Sequence, residues 1–221
     1  MSNLKHSYIF LPTNVFLGDP QMFYIPKTGH PFPHDPFKAI VSPRPIGWIS
    51  SKDQDDNINL APYSFFNAIA DKPPMVMFST TGKKFDGNSI KDSFKNILAT
   101  KEFVVNIVSH DLLKAMNLSS GSYPTEVDEF DLSNLKKSDC ELVSVPRISN
   151  SPASLECKLF KVVKLPGDNN NMIIGEVVGI HLSEKFITNG LFDILAFRPV
   201  ARLGYKDYTT VSDKFPLNRP E

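Results

Sequence analysis

The chain has little cysteine and no net charge. Its 221 residues include only Cys140 and Cys157, and its basic and acidic residues number 24 each. Nothing in the spacing of these cysteines suggests a zinc site, which needs about four ligands, or a Cys-x-x-Cys redox pair. We therefore expect two free thiols in a reducing compartment. Zero net charge leaves no global electrostatic case for nucleic-acid binding.

Long apolar runs are also missing. The N-terminal stretch YIFLPTNVFL is interrupted by Pro12, Thr13 and Asn14, and it lacks the basic start and cleavage site of a secretory signal. No segment approaches the ~20 apolar residues that span a bilayer. These absences predict a cytoplasmic protein that binds neither nucleic acid nor membrane.

Motifs of familiar catalytic sites are absent too. The sequence has no Gly-x-Gly-x-x-Gly, no phosphate-binding loop, no His-Glu-x-x-His and no Gly-x-Ser-x-Gly. Its histidines are scattered at His6, His30, His34, His110 and His181. We therefore predict no metal site and no catalytic side chain of the acid, base or nucleophile kind.

The residues that are present predict a mainly β protein, a β-barrel with peripheral helices. A hydrophobic fraction of 41% with 17 Phe is ample for one packed domain of this length. Strand-like runs at AIVSPRPIGWISS, INLAPYSFFNAI and MVMFSTT are joined by short turns, as in an antiparallel meander. EFVVNIV and PVARLGY are further strands, and SLECKLFKVVKL with MIIGEVVGIHL predicts a hairpin around PGDNNN.

Few helices are predicted. Ile90, Phe94, Ile97 and Leu98 lie at helical spacing within 87–100. HDLLKAMNLSS predicts a second helix, TEVDEFDLSNL a short third, and SEKFITNGLFDILAF a helix or a loop. The proline- and aromatic-rich residues 1–37 predict an extended arm, followed by a domain over 38–210 and a tail over 211–221. Residues from 206 onward already look like a mobile tail.

Two strand segments carry residues that a scaffold does not need. In SPRPIGWISS, Pro43 and Pro45 fix the backbone around Arg44, which we expect to face a ligand or a partner subunit. The segment 59–74 carries a few amide and hydroxyl groups among small and aromatic residues. Such a strand suits a pocket for a flat heterocycle, and it equally suits an ordinary edge strand.

The helix start near residue 91 is a third unusual segment. Asp92 or Ser93 is a suitable N-cap, and Lys91 precedes both. Free backbone N–H groups and a partial positive charge at a helix N-terminus favour phosphate, although an ordinary capped helix explains the same residues. Further hydroxyl donors precede this helix at Ser79, Thr80 and Thr81.

Taken together, these segments closely resemble the flavin reductase-like family of FMN-binding split barrels, which includes flavoredoxins and the reductases of two-component monooxygenases. The blocks are VSPRPIGWISS, NLAPYSFFNAIADKPPMVMFS, KDSFKNI, EFVVNIVS, GEVVGIHL and ARLGYKDY, in this order and spacing. The similarity runs from about residue 38 to residue 210. It implies a six-stranded Greek-key split barrel, a homodimer, and non-covalent FMN near the subunit interface.

The resemblance also implies where FMN binds. The ring would lie against the strands 45–50 and 59–67, with Ser64 and Asn67 at its polar edge. The phosphate would meet Ser79, Lys91 and Ser93. The expected cofactor-binding residues are Arg44, Pro45, Ile46, Trp48, Ser50, Asn59, Ala61, Pro62, Tyr63, Ser64, Phe65, Phe66, Asn67, Ser79, Lys84, Lys91, Asp92, Ser93 and Asn96.

Three positions qualify this assignment. Trp48 is either part of the core or a wall of the pocket. Ser93 stands where the family often has threonine, and this change keeps the hydroxyl. Tyr205 stands where relatives often carry a second glycine after Gly204, so the backbone near the flavin differs there.

The activity that the resemblance implies is NADH- or NADPH-dependent reduction of flavin. A reduced nicotinamide transfers hydride to flavin N5 without a protein acid or base, which agrees with the missing catalytic motifs. Backbone N–H groups and Asn67 would stabilise negative charge near N1. The alternatives are a non-catalytic flavin-binding or electron-transfer protein, a pyridoxamine-phosphate oxidase-like barrel, which the opening motifs disfavour, and a plain structural domain.

Overall fold

The computed structural model describes residues 21–82 and 90–220, and the chain divides into the units Met1–Asp35 and Pro36–Glu221. In the first unit, a 3-10 turn spans Pro26–Thr28, and the Tyr24 ring makes edge contacts with His30 and Phe32. The division lies near the predicted arm boundary at residue 37. The extended course of the arm stays a prediction.

The second unit is mainly β with few helices, as predicted. Its strands are β1 (Arg44–Pro45), β2 (Gly47–Lys52), β3 (Ile58–Tyr63), β4 (Phe66–Asp71), β5 (Pro74–Thr80), β6 (Glu102–Ile107), β7 (Lys137–Ser138), β8 (Arg147–Ile148), β9 (Ala153–Lys164), β10 (Asn171–Leu182), β11 (Ile187–Thr188), β12 (Leu191–Phe192), β13 (Val200–Arg202) and β14 (Tyr208–Thr210). Its α-helices are α1 (Phe37–Ile40), α2 (Asp92–Thr100), α3 (Leu113–Leu118), α4 (Glu129–Leu132) and α5 (Ile194–Phe197), with 3-10 turns at His110–Leu112 and Glu184–Phe186.

Antiparallel pairing organises these strands. The main sheet has the order β3-β2-β6-β9-β10-β5-β4, and β1-β13-β14 form a smaller sheet. Two short hairpins, β7-β8 and β11-β12, complete the described strands. The described sheets are not closed into a barrel, so the six-stranded split barrel stays a prediction.

Strand β2 shows how the core is divided. Successive side chains of a strand point to opposite faces, and Ile49 packs with Phe78, Ile97 and Phe103 while Trp48 packs with other partners. Both Trp48 and Ile49 are fully buried. Trp48 is therefore a core residue, and α2 covers the opposite face with Phe94 and Ile97.

Two predicted segments differ from the structure. The predicted strand INLAPYSFFNAI divides into β3 and β4 at Ser64 and Phe65, because the Phe65 carbonyl turns to accept a hydrogen bond from the Ser79 N–H over 2.8 Å. The predicted mobile tail from residue 206 is wrong for β14, which pairs with β13 through Tyr208↔Arg202 and Thr210↔Val200.

The free cysteines and two of the short helices agree with the sequence predictions. Cys140 and Cys157 are both free, and Cys157 is fully buried. Within the described part of the chain, no helix is both long and apolar enough to cross a membrane. The helices predicted in HDLLKAMNLSS and TEVDEFDLSNL are present as α3 and α4.

Candidate functional site

Two adjoining cavities lie at the start of α2. The larger has a volume of about 330 Å³ and the smaller about 110 Å³. Pro62, Tyr63, Lys91 and Ser120 line both, so the two cavities meet at the end of β3 and the start of α2. The larger volume lies at the lower end of the range for small-molecule sites.

The larger cavity, which we call the main cavity, is cationic. Lys38, Arg44, Lys91 and Arg202 line it, and no Asp or Glu is among its described lining residues. Eight residues expected from the sequence line it: Arg44, Ile46, Pro62, Tyr63, Ser64, Phe65, Ser79 and Lys91. A concave site with several positive charges and no negative charge in its described lining favours an anionic ligand.

Arg44 is held rigidly on one side of the main cavity. Its guanidinium donates hydrogen bonds to the carbonyls of Lys38, Val41 and Leu203, the last over 2.9 Å. It is only 6% exposed, and its Nε has no hydrogen-bond partner. Burial, together with the charge of Arg202, lowers the pKa of Arg44 below its ordinary value. The Pro-Arg-Pro block therefore fixes a buried cation at the cavity.

Arg202 lies opposite Arg44 across the β1–β13 ladder. Its Nη2 donates a 2.6 Å hydrogen bond to the Tyr205 carbonyl, and its guanidinium carbon lies 4.3 Å from the centre of the Tyr208 ring. Tyr205 itself has φ +54°, in the left-handed region that favours glycine. The departure from the family pattern at Tyr205 thus falls on a backbone position that suits glycine better.

A hydroxyl network joins β3 to α2 in the wall of the smaller cavity. Ser93 Oγ accepts hydrogen bonds from Asn59 Nδ2 over 2.8 Å and from the Tyr63 hydroxyl over 3.1 Å. Burial raises the pKa of Tyr63 to about 12, which keeps its hydroxyl protonated as a donor. Ser93 is 1% exposed, so it holds the helix start in place beside the cavity.

Glu129 is a buried acid that lines the smaller cavity. Its Oε2 accepts a 2.9 Å hydrogen bond from the Leu60 N–H. Burial raises the pKa of Glu129 to about 7, against the effect of that bond, and the charges of Asp92 and Asp128 raise it further. Because Asp92 also lines this cavity, its charge makes the smaller cavity less suited to phosphate than the main cavity.

The N-terminus of α2 differs from the predicted cap. Lys91, not Asp92 or Ser93, is the N-cap residue, and it makes no side-chain capping hydrogen bond. Both predicted caps are engaged by other partners. Ser93 Oγ accepts hydrogen bonds from Asn59 and Tyr63, and Asp92 Oδ1 accepts a 3.2 Å hydrogen bond from Thr125. Lys91 therefore begins α2 without a capping hydrogen bond from its own side chain.

The expected cofactor residues fall into four groups. Eight of them line the main cavity, as given above. Four others line the smaller cavity: Asn59, Ala61, Asp92 and Ser93. Six line neither: Pro45 and Asn67 are exposed, whereas Trp48, Ser50, Phe66 and Asn96 are buried. Lys84 lies outside the described residues.

Several of the buried residues serve the fold. The Trp48 indole donates to Ser119 Oγ over 2.9 Å, Ser50 Oγ donates to the Pro146 carbonyl over 2.7 Å, and Asn96 Nδ2 donates to Ser51 Oγ over 3.3 Å. These bonds satisfy polar groups in the interior. The sequence correctly indicated that these side chains are not on a solvated face, but it did not separate internal polar contacts from cavity lining.

Sequence reasoning missed other lining residues. Of these, Lys38, Met116, Ser120, Arg202, Tyr205 and Tyr208 line the main cavity, and Ser119, Gly121, Ser122, Tyr123 and Glu129 line the smaller one. Thr81, which was expected only as a further hydroxyl donor, also lines the main cavity. The ARLGYKDY block held a usable signal, because its arginine and tyrosines follow a short strand. Lys38 and Glu129 carried no comparable signal.

A separate cluster lies away from these cavities. Glu156 accepts hydrogen bonds from the N–H groups of Glu141, Leu142 and Val143, and His181 Nε2 lies 2.6 Å from its Oε1. Burial alone raises the pKa of Glu156, but these bonds outweigh burial and hold it below its ordinary value. Cys140 brings a third metal-ligating atom within 4.8 Å. Because the carboxylate is already saturated by donors, the cluster fixes a loop and does not alter the prediction of no metal site.

Comparison with known proteins agrees with this geometry. Residues 41–199 match the family described as Flavin reductase like domain. An uncharacterized protein of Aquifex aeolicus is 40% identical over 171 residues, which cover 77% of this chain and 85% of that protein. The chain therefore belongs to the flavin reductase-like family, as its sequence blocks predicted.

Solved structures support the same fold. Nitrilotriacetate monooxygenase component B from Bacillus cereus is similar with a TM-score of 0.81 and 26% identity, covering 90% of this chain and 100% of that one. The 2-nitrobenzoate 2-nitroreductase NbaA of Pseudomonas fluorescens is similar with a TM-score of 0.73 and 28% identity, covering 83% and 88%. Both alignments extend over most of each chain.

Proposed function

We propose that this protein is an FMN-binding flavoprotein that uses NADH or NADPH to reduce flavin. The observation that carries the proposal is the main cavity, which joins an aromatic wall to a helix start and four cationic side chains. Membership of the flavin reductase-like family supports it. A flat aromatic ligand that bears phosphate is complementary to this combination.

The residues present fit FMN better in the main cavity than in the smaller one. Lys91, Ser79 and Thr81 supply one cation and two hydroxyls to the lining of the main cavity. Tyr63 and Phe65 supply aromatic surface beside them. The smaller cavity contains Asp92 and Glu129, and the charge of Asp92 would oppose the phosphate.

In this proposal the chain binds and orients, and FMN, when bound, supplies the hydride-accepting ring. Lys91 and the N-terminal end of α2, with its partial positive charge, hold the phosphate. The Asn59–Ser93–Tyr63 network keeps β3 and α2 in register, so the ring wall and the phosphate seat keep a fixed separation. No side chain has to transfer a proton for hydride to pass between nicotinamide and flavin.

Anaerobic mixing of the FMN-loaded protein with NADH or NADPH tests the activity. We expect bleaching of the flavin absorbance near 450 nm with a rate that saturates with nicotinamide concentration. Full FMN binding without bleaching by either nicotinamide would instead identify a non-catalytic flavin-binding or electron-transfer protein. The control is dithionite, which reduces bound flavin irrespective of nicotinamide binding.

We also propose that the protein is a homodimer, with residues 1–35 contributing to flavin enclosure. The support is the apolar character of the arm, which contains Phe10, Phe16, Phe23, Tyr24 and Phe32. Light scattering on the full chain and on a variant lacking residues 1–35 tests this. A monomeric full chain contradicts the proposal. So does a truncated chain whose FMN affinity and oligomeric state are both unchanged.

A further inference from the structure

The Arg44–Arg202 pair is an unusual arrangement inside the main cavity. The two residues are direct cross-strand partners in the β1–β13 ladder, and both line the cavity. Like charges directly opposite each other on a sheet are destabilising. Neither arginine has a carboxylate partner among the described residues, and every hydrogen bond that their side chains make there goes to a backbone carbonyl.

The buried member of the pair also lacks a partner at one donor. Arg44 is 94% buried, as its exposed fraction of 6% implies, and its Nε makes no hydrogen bond. A buried guanidinium that meets no negative charge is costly. Backbone carbonyls neutralise neither charge, so the pair is electrostatically incomplete without an anion.

The charge of FMN does not account for all four cations. A phosphate monoester carries about −1.5 to −2 at neutral pH, whereas Lys38, Arg44, Lys91 and Arg202 together carry four positive charges. Lys91 belongs to the start of α2, but Lys38, Arg44 and Arg202 belong to α1 and the smaller sheet. The cations therefore come from two structural groups, and only the first adjoins the helix N-terminus.

The surroundings of the pair indicate what kind of anion it takes. The Arg202 guanidinium lies over the Tyr208 ring, and Tyr205 and Tyr63 also line the cavity. A guanidinium fork binds a carboxylate or phosphate in two-point fashion, and tyrosine rings favour a planar group beside it.

We propose that the Arg44–Arg202 pair is a second anion subsite, which binds the oxyanion of the molecule that reacts with the flavin. The inference rests on the proposed function in that the second ligand is a reaction partner of bound FMN. An oxyanion of this kind occurs both in a planar aromatic carboxylate, which would be a substrate, and in the phosphates of a nicotinamide dinucleotide.

Titration of the FMN-loaded protein tests this subsite. Benzoate is one probe, and NADP⁺, which carries phosphates but cannot reduce the flavin, is the other. Benzamide is the uncharged control for benzoate. We expect the wild type to bind at least one oxyanion probe saturably, as seen by a change in the flavin spectrum. Arg202→Gln should weaken that probe about ten- to hundredfold because a charge-assisted contact is lost.

Matched variants keep the test specific. Arg198→Gln makes the same change at an exposed arginine outside the described lining of both cavities and should leave probe affinity unchanged. Arg202→Lys keeps the charge and should recover part of the affinity. This variant also provides a test of the subsite if Arg202→Gln fails to fold. Benzamide affinity should not respond to Arg202→Gln.

The outcomes separate the two proposals. If Arg202→Gln weakens benzoate binding, the pair is a carboxylate subsite. If it weakens only NADP⁺ binding, the pair is a subsite for a dinucleotide phosphate. The subsite is wrong if the wild type binds neither probe, if Arg202→Gln leaves both affinities unchanged, or if it weakens FMN much more than riboflavin, which lacks the phosphate. If the protein does not bind FMN at all, the proposed function fails, and calorimetric titration of the flavin-free protein with the same probes still decides whether the arginine pair binds anions.

Discussion

The Tyr63 hydroxyl donates a 3.1 Å hydrogen bond to Ser93 Oγ and thereby connects the end of β3 to the first turn of α2. Tyr63 lines both cavities, whereas Ser93 lines only the smaller one and is almost fully buried. The contact links the proposed ring wall to the proposed phosphate seat. Small displacements of α2 relative to β3 should therefore alter flavin binding even where no ligand contact is removed.

Replacing Tyr63 by Phe should test this connection. The ring and its packing on Phe78 remain, with ring centres 4.8 Å apart, but the hydrogen bond is lost. We expect the free energy of unfolding to fall by about 1 kcal/mol, measured by urea denaturation. Tyr123→Phe is the matched control, because the exposed Tyr123 hydroxyl donates only to the Leu118 carbonyl. A loss no greater than that of the control would contradict the structural role of Tyr63.

Lys91→Ala should weaken FMN and spare riboflavin. Lys91 is the N-cap residue of α2 and lines both cavities. Loss of a charge-assisted phosphate contact should reduce FMN affinity about ten- to hundredfold, measured by fluorescence titration. Lys95→Ala, on an exposed face of the same helix, should leave the affinities for FMN and riboflavin unchanged. Equal losses of FMN and riboflavin affinity in Lys91→Ala would place the phosphate elsewhere.

Glu129 should make the stability of the protein depend on pH. Its folded-state pKa, about 7, is raised above its ordinary value of 4.5. The folded state therefore holds the proton more tightly, so this stabilisation is complete below about pH 4.5 and is lost as the pH rises through about 7. Relative to Glu129→Gln, the wild type should lose up to about 3 kcal/mol between pH 5 and pH 8. A constant difference between the two proteins, measured by urea denaturation across this range, would show that Glu129 titrates normally.

Glu156 should act in the opposite sense. Hydrogen bonds hold its folded-state pKa below 4.5, so its stabilisation is present above that pH and is lost as the pH falls through the lowered pKa. Glu156→Gln should destabilise the protein by about 2–3 kcal/mol at pH 7, because bonds from N–H groups to a charged acceptor are weakened. The difference from the wild type should shrink on acidification below about pH 4.5. A difference that grows on acidification would contradict this assignment.

The fold was largely predictable from the sequence because its main elements rest on local patterns. Strand β2 follows apolar runs, and α2 follows the spacing of Phe94 and Ile97. The site was predictable only in part. Strand pairing brings Arg202 opposite Arg44 over a separation of more than 150 residues, and no local period encodes this register. The cap of α2 was mispredicted because tertiary partners bind Ser93, which by preference alone is a suitable N-cap.

Titration of flavin-free protein with FMN tests the central claim most directly. Equilibrium dialysis or fluorescence quenching gives both the affinity and the amount bound. The account predicts saturable binding of one FMN per chain, a yellow complex, and weaker binding of riboflavin than of FMN. A protein that stays colourless and does not retain FMN on dialysis would contradict the assignment of both cavities and with it the proposed function.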